Sequence, residues 1–166
     1  MKNIALMALV SIFFGIFIIV GNATAFDAAQ LQQLKTTKQC SSCDLSGANI
    51  SGFDLSGAKL DKANLYNANL TGANLSGANL PRADLPGANL SNANLSGANL
   101  HGAFMSSANL GNANLSNANL GSAFMKGAYL YGANLSGAKL NGATLGGATW
   151  TDGSVCKDES AGECKK

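Results

Sequence analysis

The sequence predicts a four-sided solenoid, and three observations carry that prediction. From Cys43 to Asp152 the chain repeats one five-residue unit 22 times without a gap. A period of five fits neither an amphipathic helix, which needs apolar residues about every 3.6, nor a half-buried strand, which needs them about every second, so the chain must turn once per unit. Within each unit two positions are small or apolar. The central one is Leu, with Ile50, Met105, Met125 and Trp150 as variants; the one two before it is Ala except at Cys43 and Phe53. If these two point inward, each unit is one side of a square and four units bring the chain back above itself. Finally, the second residue after the centre is Gly or Asn in 17 of the 22 units, the residues that a position of positive φ selects.

The corners follow from turn chemistry. Leu85-Pro86-Gly87-Ala88 has Pro second and Gly third, as a type II turn prefers. Lys62, Arg82, Ser107, Ser122 and Asp152 stand where Gly or Asn is usual, and a different turn is expected at those five corners.

In these units the chain resembles, almost everywhere, the pentapeptide repeat proteins, whose motif is a small residue, Asp or Asn, Leu or Phe, Ser or Thr, and then a variable residue. The resemblance covers about two thirds of the sequence and implies a right-handed quadrilateral parallel β-helix, an all-β fold whose hand agrees with that of parallel crossovers. It is nearly silent on function, because one fold hosts many.

Residues 1–25 are built as a targeting segment: Lys2 gives a positive start, Ile4 to Gly21 is almost wholly apolar, and Ala23-Thr24-Ala25 is a small-x-small cleavage signal that would leave Phe26 first. The apolar run approaches the roughly 20 residues that span a bilayer, so an uncleaved anchor is the alternative. Either way the solenoid is expected to be exported, to a periplasm or, in a cyanobacterium, to the thylakoid lumen. After cleavage no membrane contact is expected.

Residues 26–42 form the entry. Asp27 can cap a helix in which Ala28, Ala29, Leu31 and Leu34 lie on one side. A solenoid end exposes a sheet edge and a core layer, so this helix is expected to act as a lid. Exported members of the family resemble this entry, with Cys-x-x-Cys-Asp-Leu leading into the first coil. The repeat occupies 43–152, closed by Trp150 in the last central position. The tail, 153–166, contains its own two cysteines.

Export sets the reading of the cysteines. Cys40-x-x-Cys43 could open a zinc signature or form a redox centre. A site shared with Cys156 and Cys164 is excluded by distance, because coils rising roughly 4.8 Å each put the two ends about 25 Å apart and a disulfide needs Cα atoms within about 7 Å. Local disulfides, Cys40 with Cys43 and Cys156 with Cys164, fit an oxidising compartment.

Charge and composition remove several function classes. The repeat carries five cations (Lys59, Lys62, Arg82, Lys126, Lys139) against five anions (Asp44, Asp54, Asp61, Asp84, Asp152), so there is no basic stripe for nucleic acid. Nor is there the acidic surface by which, as the resemblance implies, some members imitate DNA and inhibit topoisomerases. His101 is the only histidine and falls on an outward position. No paired carboxylates, activated nucleophile, phosphate loop or cofactor site is visible, and the chain reads as a non-enzyme. Stacked Asn residues are expected to form hydrogen-bonded ladders.

Variation on the outer surface carries what functional signal there is. One coil is 20 residues, so Phe104 and Phe124 stack on one face at a place that is normally polar. Tyr66 and Pro86 belong to the same face, and Tyr129 and Tyr131 lie around the next corner. An exposed apolar patch marks a contact surface; aromatic stacks also serve a β-helix's own packing. Two functions remain: a scaffold that binds an unidentified protein partner or a second copy through this face, or a β-helix that binds ice or a polysaccharide through a flat polar face. Rows of Thr would favour the second, and outward Thr is sparse (Thr71, Thr144, Thr149, Thr151).

Overall fold

A computed structural model describes residues 26–166; the targeting segment, 1–25, lies outside the described residues. The five-residue unit turns as its composition requires. In unit after unit the N–H of the small residue donates to the carbonyl of the preceding central residue, as Ala88 does to Leu85 at 3.0 Å, and the residue before it has positive φ, 67° at Gly87. Between turns the backbone is straight for too short a distance to make a strand, so each side pairs through single bridges. These are parallel and link residues 20 apart: Asp44 to Asn64 to Asp84 to Phe104 to Phe124 to Thr144 on one side, Asn49 to Asn69 to Asn89 to Asn109 to Tyr129 to Thr149 on the next. The other two sides run from Asp54 to Asn134 and from Gln39 to Lys139. The four-sided coil of 20 residues is thus present in the pairing itself.

The expectation of different turns at the irregular corners is corrected at four of the five. Lys62, Arg82, Ser107 and Ser122 have φ of 55–56°, the same left-handed conformation as their Gly counterparts. Chirality costs an L-residue there about 1–2 kcal/mol, and the coils above and below impose the turn regardless: the N–H of Lys62 donates to Pro81 and that of Ser107 to Lys126. Asp152 is absent from the positive-φ set, and there the chain leaves the coil.

Inside, the central residues and their Ala partners form one continuous column. Leu65, Leu85, Met105 and Met125 are fully buried one above another, as are Ala63, Ala83, Ala103 and Ala123. The two exceptions at the small position sit in the first coil, where there is no coil beneath. Cys43 is buried, and Phe53 is half-buried with the Lys35 ammonium 4.7 Å from its ring centroid. A large ring is accommodated only at an end.

The entry begins one unit earlier than the sequence indicates. Gln39 bridges Lys59, Ser42 has φ of 57°, and Cys40 occupies the central, fully buried place of a unit spanning 38–42. Before it stands α1, Ala28–Thr37, capped by the Asp27 carboxylate, which accepts from the N–H groups of Ala29 and Gln30. Leu34 is fully buried in the core, with Phe26 and Leu31 packed beside it. Ala28 and Ala29 are exposed, contrary to the expected apolar side; lying six and five residues ahead of Leu34, they point away from its face of a helix with 3.6 residues per turn. Lys38 closes the helix at φ 55° and reaches the Asp54 carboxylate at 2.9 Å.

At the other end the tail folds back onto the last coil. Val155 bridges Thr149 and Ala161 bridges Thr144, both antiparallel. Both expected disulfides are formed, Cys40–Cys43 and Cys156–Cys164, with Cα atoms 5.2 and 5.0 Å apart. Each is therefore an end fastening.

Candidate functional site

The polar outer surface is organised by Asn. An outward Asn carboxamide accepts the N–H two residues on, as Asn74 does from Ser76 at 3.2 Å, and its own NH2 donates to the residue one coil below. On the Asp54 side this chain is unbroken, from Asn134 to Asn114 to Asn94 to Asn74 to Asp54. Every amide there is engaged by its own neighbours. The expected ladders are present.

On the Asp44 side the ladder stops after one step, where Asn64 donates to Asp44 at 3.0 Å. Two coils higher its place is taken by Phe104 and Phe124. Being bridged to each other in register, the two rings stack with centroids 5.0 Å apart and planes 9° from parallel. Each gives a face to the other, and each remains 44% exposed. Offset or stacked aromatic pairs are worth about 0.5–1.5 kcal/mol beyond area burial, so the stack supports the coil and still leaves apolar surface in water.

Around the corner Tyr129 and Tyr131 lie with centroids 6.3 Å apart and planes tilted by 39°. Tyr129 rests against Gly111, where an added Cβ would stand 3.1 Å from the ring; the missing side chain at Gly111 is what lets the ring lie close. Tyr131 packs 3.5 Å from the place of a Cβ on Gly153. Tyr66 is exposed and Pro86 half-buried one coil above it; neither contributes to these two ring pairs. The six predicted residues therefore form two ring pairs on adjacent sides with a lower Tyr-Pro extension. Lys126, two residues beyond Phe124, is exposed.

The two ion pairs of the described residues sit at the ends. The Lys38 ammonium, with help from the Ser56 hydroxyl and N–H, holds the Asp54 carboxyl well below the usual carboxylate range. Lys166, with Ser154, does the same for Asp152. His101 is exposed beneath Gly121, whose lack of a side chain leaves room for the imidazole. Among the described residues no three His, Cys, Asp or Glu side chains converge as metal ligands, and no helix is long and apolar enough to cross a membrane. Cys40 is fully buried and bonded to Cys43.

Comparison with known families agrees with the repeat. The family model described as pentapeptide repeats matches in eight copies, over residues 39–77, 73–112 and 108–147. The chain belongs to the pentapeptide repeat family. Among solved structures it is similar to a pentapeptide repeat protein from the cyanobacterium Cyanothece 51142, at 34% identity over 69% of this chain and 92% of that one, with a TM-score of 0.48. It is similar also to HetL of Nostoc sp. strain PCC 7120, a protein involved in heterocyst differentiation regulation, at 37% identity over 70% of each chain and a TM-score of 0.32. A third similar structure is a pentapeptide repeat protein from the thylakoid lumen of Arabidopsis thaliana, at 33% identity over 78% and 86% of the two chains and a TM-score of 0.36. Curated protein sequences give no match.

Sequence reasoning missed two features. One is Gly111 as the seat of Tyr129; its signal was a Gly directly after a central Leu, 20 residues before Tyr131. The other is the antiparallel return of the tail. Gly146 is its trace, since a Cβ there would meet the backbone of Asp158.

Proposed function

We propose that this protein is a non-enzymatic, exported protein-interaction module, a right-handed solenoid that presents the aromatic face of Tyr66, Pro86, Phe104, Phe124, Tyr129 and Tyr131 to a protein partner. The observation that carries the reading is the Phe104–Phe124 stack: two apolar rings in register, each 44% exposed, at outward positions that elsewhere are mostly Asn. Full burial of such a side chain is worth about 1.5–3 kcal/mol, and a covering surface would supply what the coil alone leaves unrealised. Because the rings give their faces to each other, they offer little platform to a sugar ring.

Export rests on residues 1–25 and on two cysteine pairs that suit an oxidising compartment; a mature chain beginning at Phe26 in an osmotic-shock fraction is the expected form. Binding to ice or a polysaccharide is less well supported. Thr144 lies on one side and Thr71, Thr149 and Thr151 on the next, too few and too scattered for a regular row. Replacement of both Phe104 and Phe124 by Asn, followed by capture of the partner, tests the proposal directly.

A further inference from the structure

Near its C-terminal end the solenoid carries a dipeptide that occurs nowhere else in the chain, Asn141-Gly142. In an Asn-Gly pair the second residue's main-chain nitrogen can reach the carboxamide carbon of the first, because Gly has no Cβ to obstruct the approach. Whether it does so depends on a free carboxamide, an unbonded N–H and access to water.

The other outward Asn residues are held back by the fold. In the ladders both groups are engaged: the Asn119 carboxamide donates to Asn99, and the Leu120 N–H donates to Lys139 at 2.8 Å. Asn134 has an unbonded N–H after it, but that N–H belongs to Leu135 and its own carboxamide donates to Asn114. At the corners Asn112 and Asn117 precede Ala113 and Ala118, whose N–H groups donate back to Leu110 and Leu115. Asp152-Gly153 is the acidic counterpart of the pair. There the Gly153 N–H donates to Trp150 at 3.0 Å, and Ser154 and Lys166 hold the carboxylate.

Asn141 meets all three conditions. One coil below it stands Gly121, which has no side chain for the carboxamide to bond. The Ser122 N–H donates to the Asn141 carbonyl at 2.9 Å, whereas the Gly142 N–H one coil above has no backbone acceptor among the described residues. The tail passes this point, since a Cβ on Gly162 would stand 3.8 Å from the Gly142 nitrogen. Gly162 gives its own N–H to Ala143 and leaves that of Gly142 unbonded. Asn141 and Gly142 are both exposed.

We propose that Asn141 is a self-modifying site, at which the C-terminal end of the solenoid changes with age. The Gly142 nitrogen attacks Asn141 Cγ; the N–Cγ bond forms, the Cγ–NH2 bond breaks, and ammonia leaves with the proton from the Gly142 nitrogen. Water then opens the succinimide at one carbonyl or the other, giving aspartate or isoaspartate. Either product sets a carboxylate two residues from the exposed Lys139. In isoaspartate the main chain also gains a carbon, and the carbonyl that accepts from Ser122 becomes a free carboxylate. The lengthened corner draws Ala143 away from the tail, whose Gly162 N–H it holds at 2.8 Å.

The test holds the full chain at mildly alkaline pH, folded in one sample and reduced in denaturant in the other, and maps its peptides by mass with detection of isoaspartate. In the folded sample Asn141 loses its amide, while Asn134 keeps its own and Asp152 stays aspartate; in the denatured sample Asp152 isomerises as well. Amide exchange at Gly162 quickens as Asn141 converts, and stays slow in Asn141→Gln, whose longer side chain closes the ring less readily. A folded chain whose Asn141 keeps its amide while the denatured chain loses it, or converts no faster than Asn134, overturns the proposal. Unchanged exchange at Gly162 in the converted protein overturns the link to the tail.

Discussion

Gly146 faces the backbone of Asp158 so closely that a Cβ on it would stand 2.7 Å from the Asp158 carbonyl oxygen. That contact fixes where the tail lies, and backbone cannot swing aside as a side chain can. Gly146→Ala should therefore lift the tail from the Thr144 side. Overpacking of this sort costs about 1–3 kcal/mol. The expected result is faster amide exchange at Leu145 and Gly147, whose acceptors are in the tail, with the coils below unchanged.

The corner residues make a second test. Ser107 holds φ at 56° against its own preference, in a turn whose Gly counterparts adopt it freely. Ser107→Gly removes about 1–2 kcal/mol of left-handed strain and adds about 0.5–1 kcal/mol of backbone entropy, so a net gain of roughly 0.5–1 kcal/mol is expected. Gly77→Ala, at φ 63° with open space around it, should lose a similar amount. Thermal unfolding of the two variants should move in opposite directions.

Acid should act on the ends first. The Asp54 and Asp152 carboxyls are held below their ordinary range by Lys38 and Lys166 respectively. A depressed carboxyl pKa contributes stability that is present above the unfolded value, about 3.9 for Asp, and lost as pH falls through the folded one. Lowering the pH from 5 towards about 2 should loosen α1 and the tail, seen as exchange at Lys38 and Gly153, while the Asn-laddered coils persist. Lys38→Met should abolish the effect at the first end and leave it at the second.

What was legible in the sequence was what the period dictates. A five-residue unit with Leu at 45, 55, 60 and onward and Ala two before it leaves a four-sided coil as the one way to bury both columns, and the bridges 20 apart follow. The register of Phe104 with Phe124 was readable for the same reason. Less legible was whatever one element imposes on another. Lys62, Arg82, Ser107 and Ser122 look wrong for a left-handed corner when judged one at a time; stacked coils override that local preference. Cys40 reads as a linker residue and proves to be a central one, because Lys38, Ser41 and Ser42 disguise the unit around it. The tail's return is set by Gly146 and by antiparallel pairing, neither of which has a periodic signature.

The central claim is that a protein covers the Phe104–Phe124 face. Its most direct test is capture of the partner from the exported fraction of the source cells by the protein and by its Phe104→Asn, Phe124→Asn double variant, with circular dichroism and the melting temperature measured alongside. Asn is the residue most often found at the equivalent outward positions, so the variant restores the usual residue of the repeat and should stay folded. The account predicts a discrete protein retained by the native face and lost with the two rings, at unchanged circular dichroism. Equal capture by both forms would contradict it, and a variant that unfolds would show that the rings serve the coil alone.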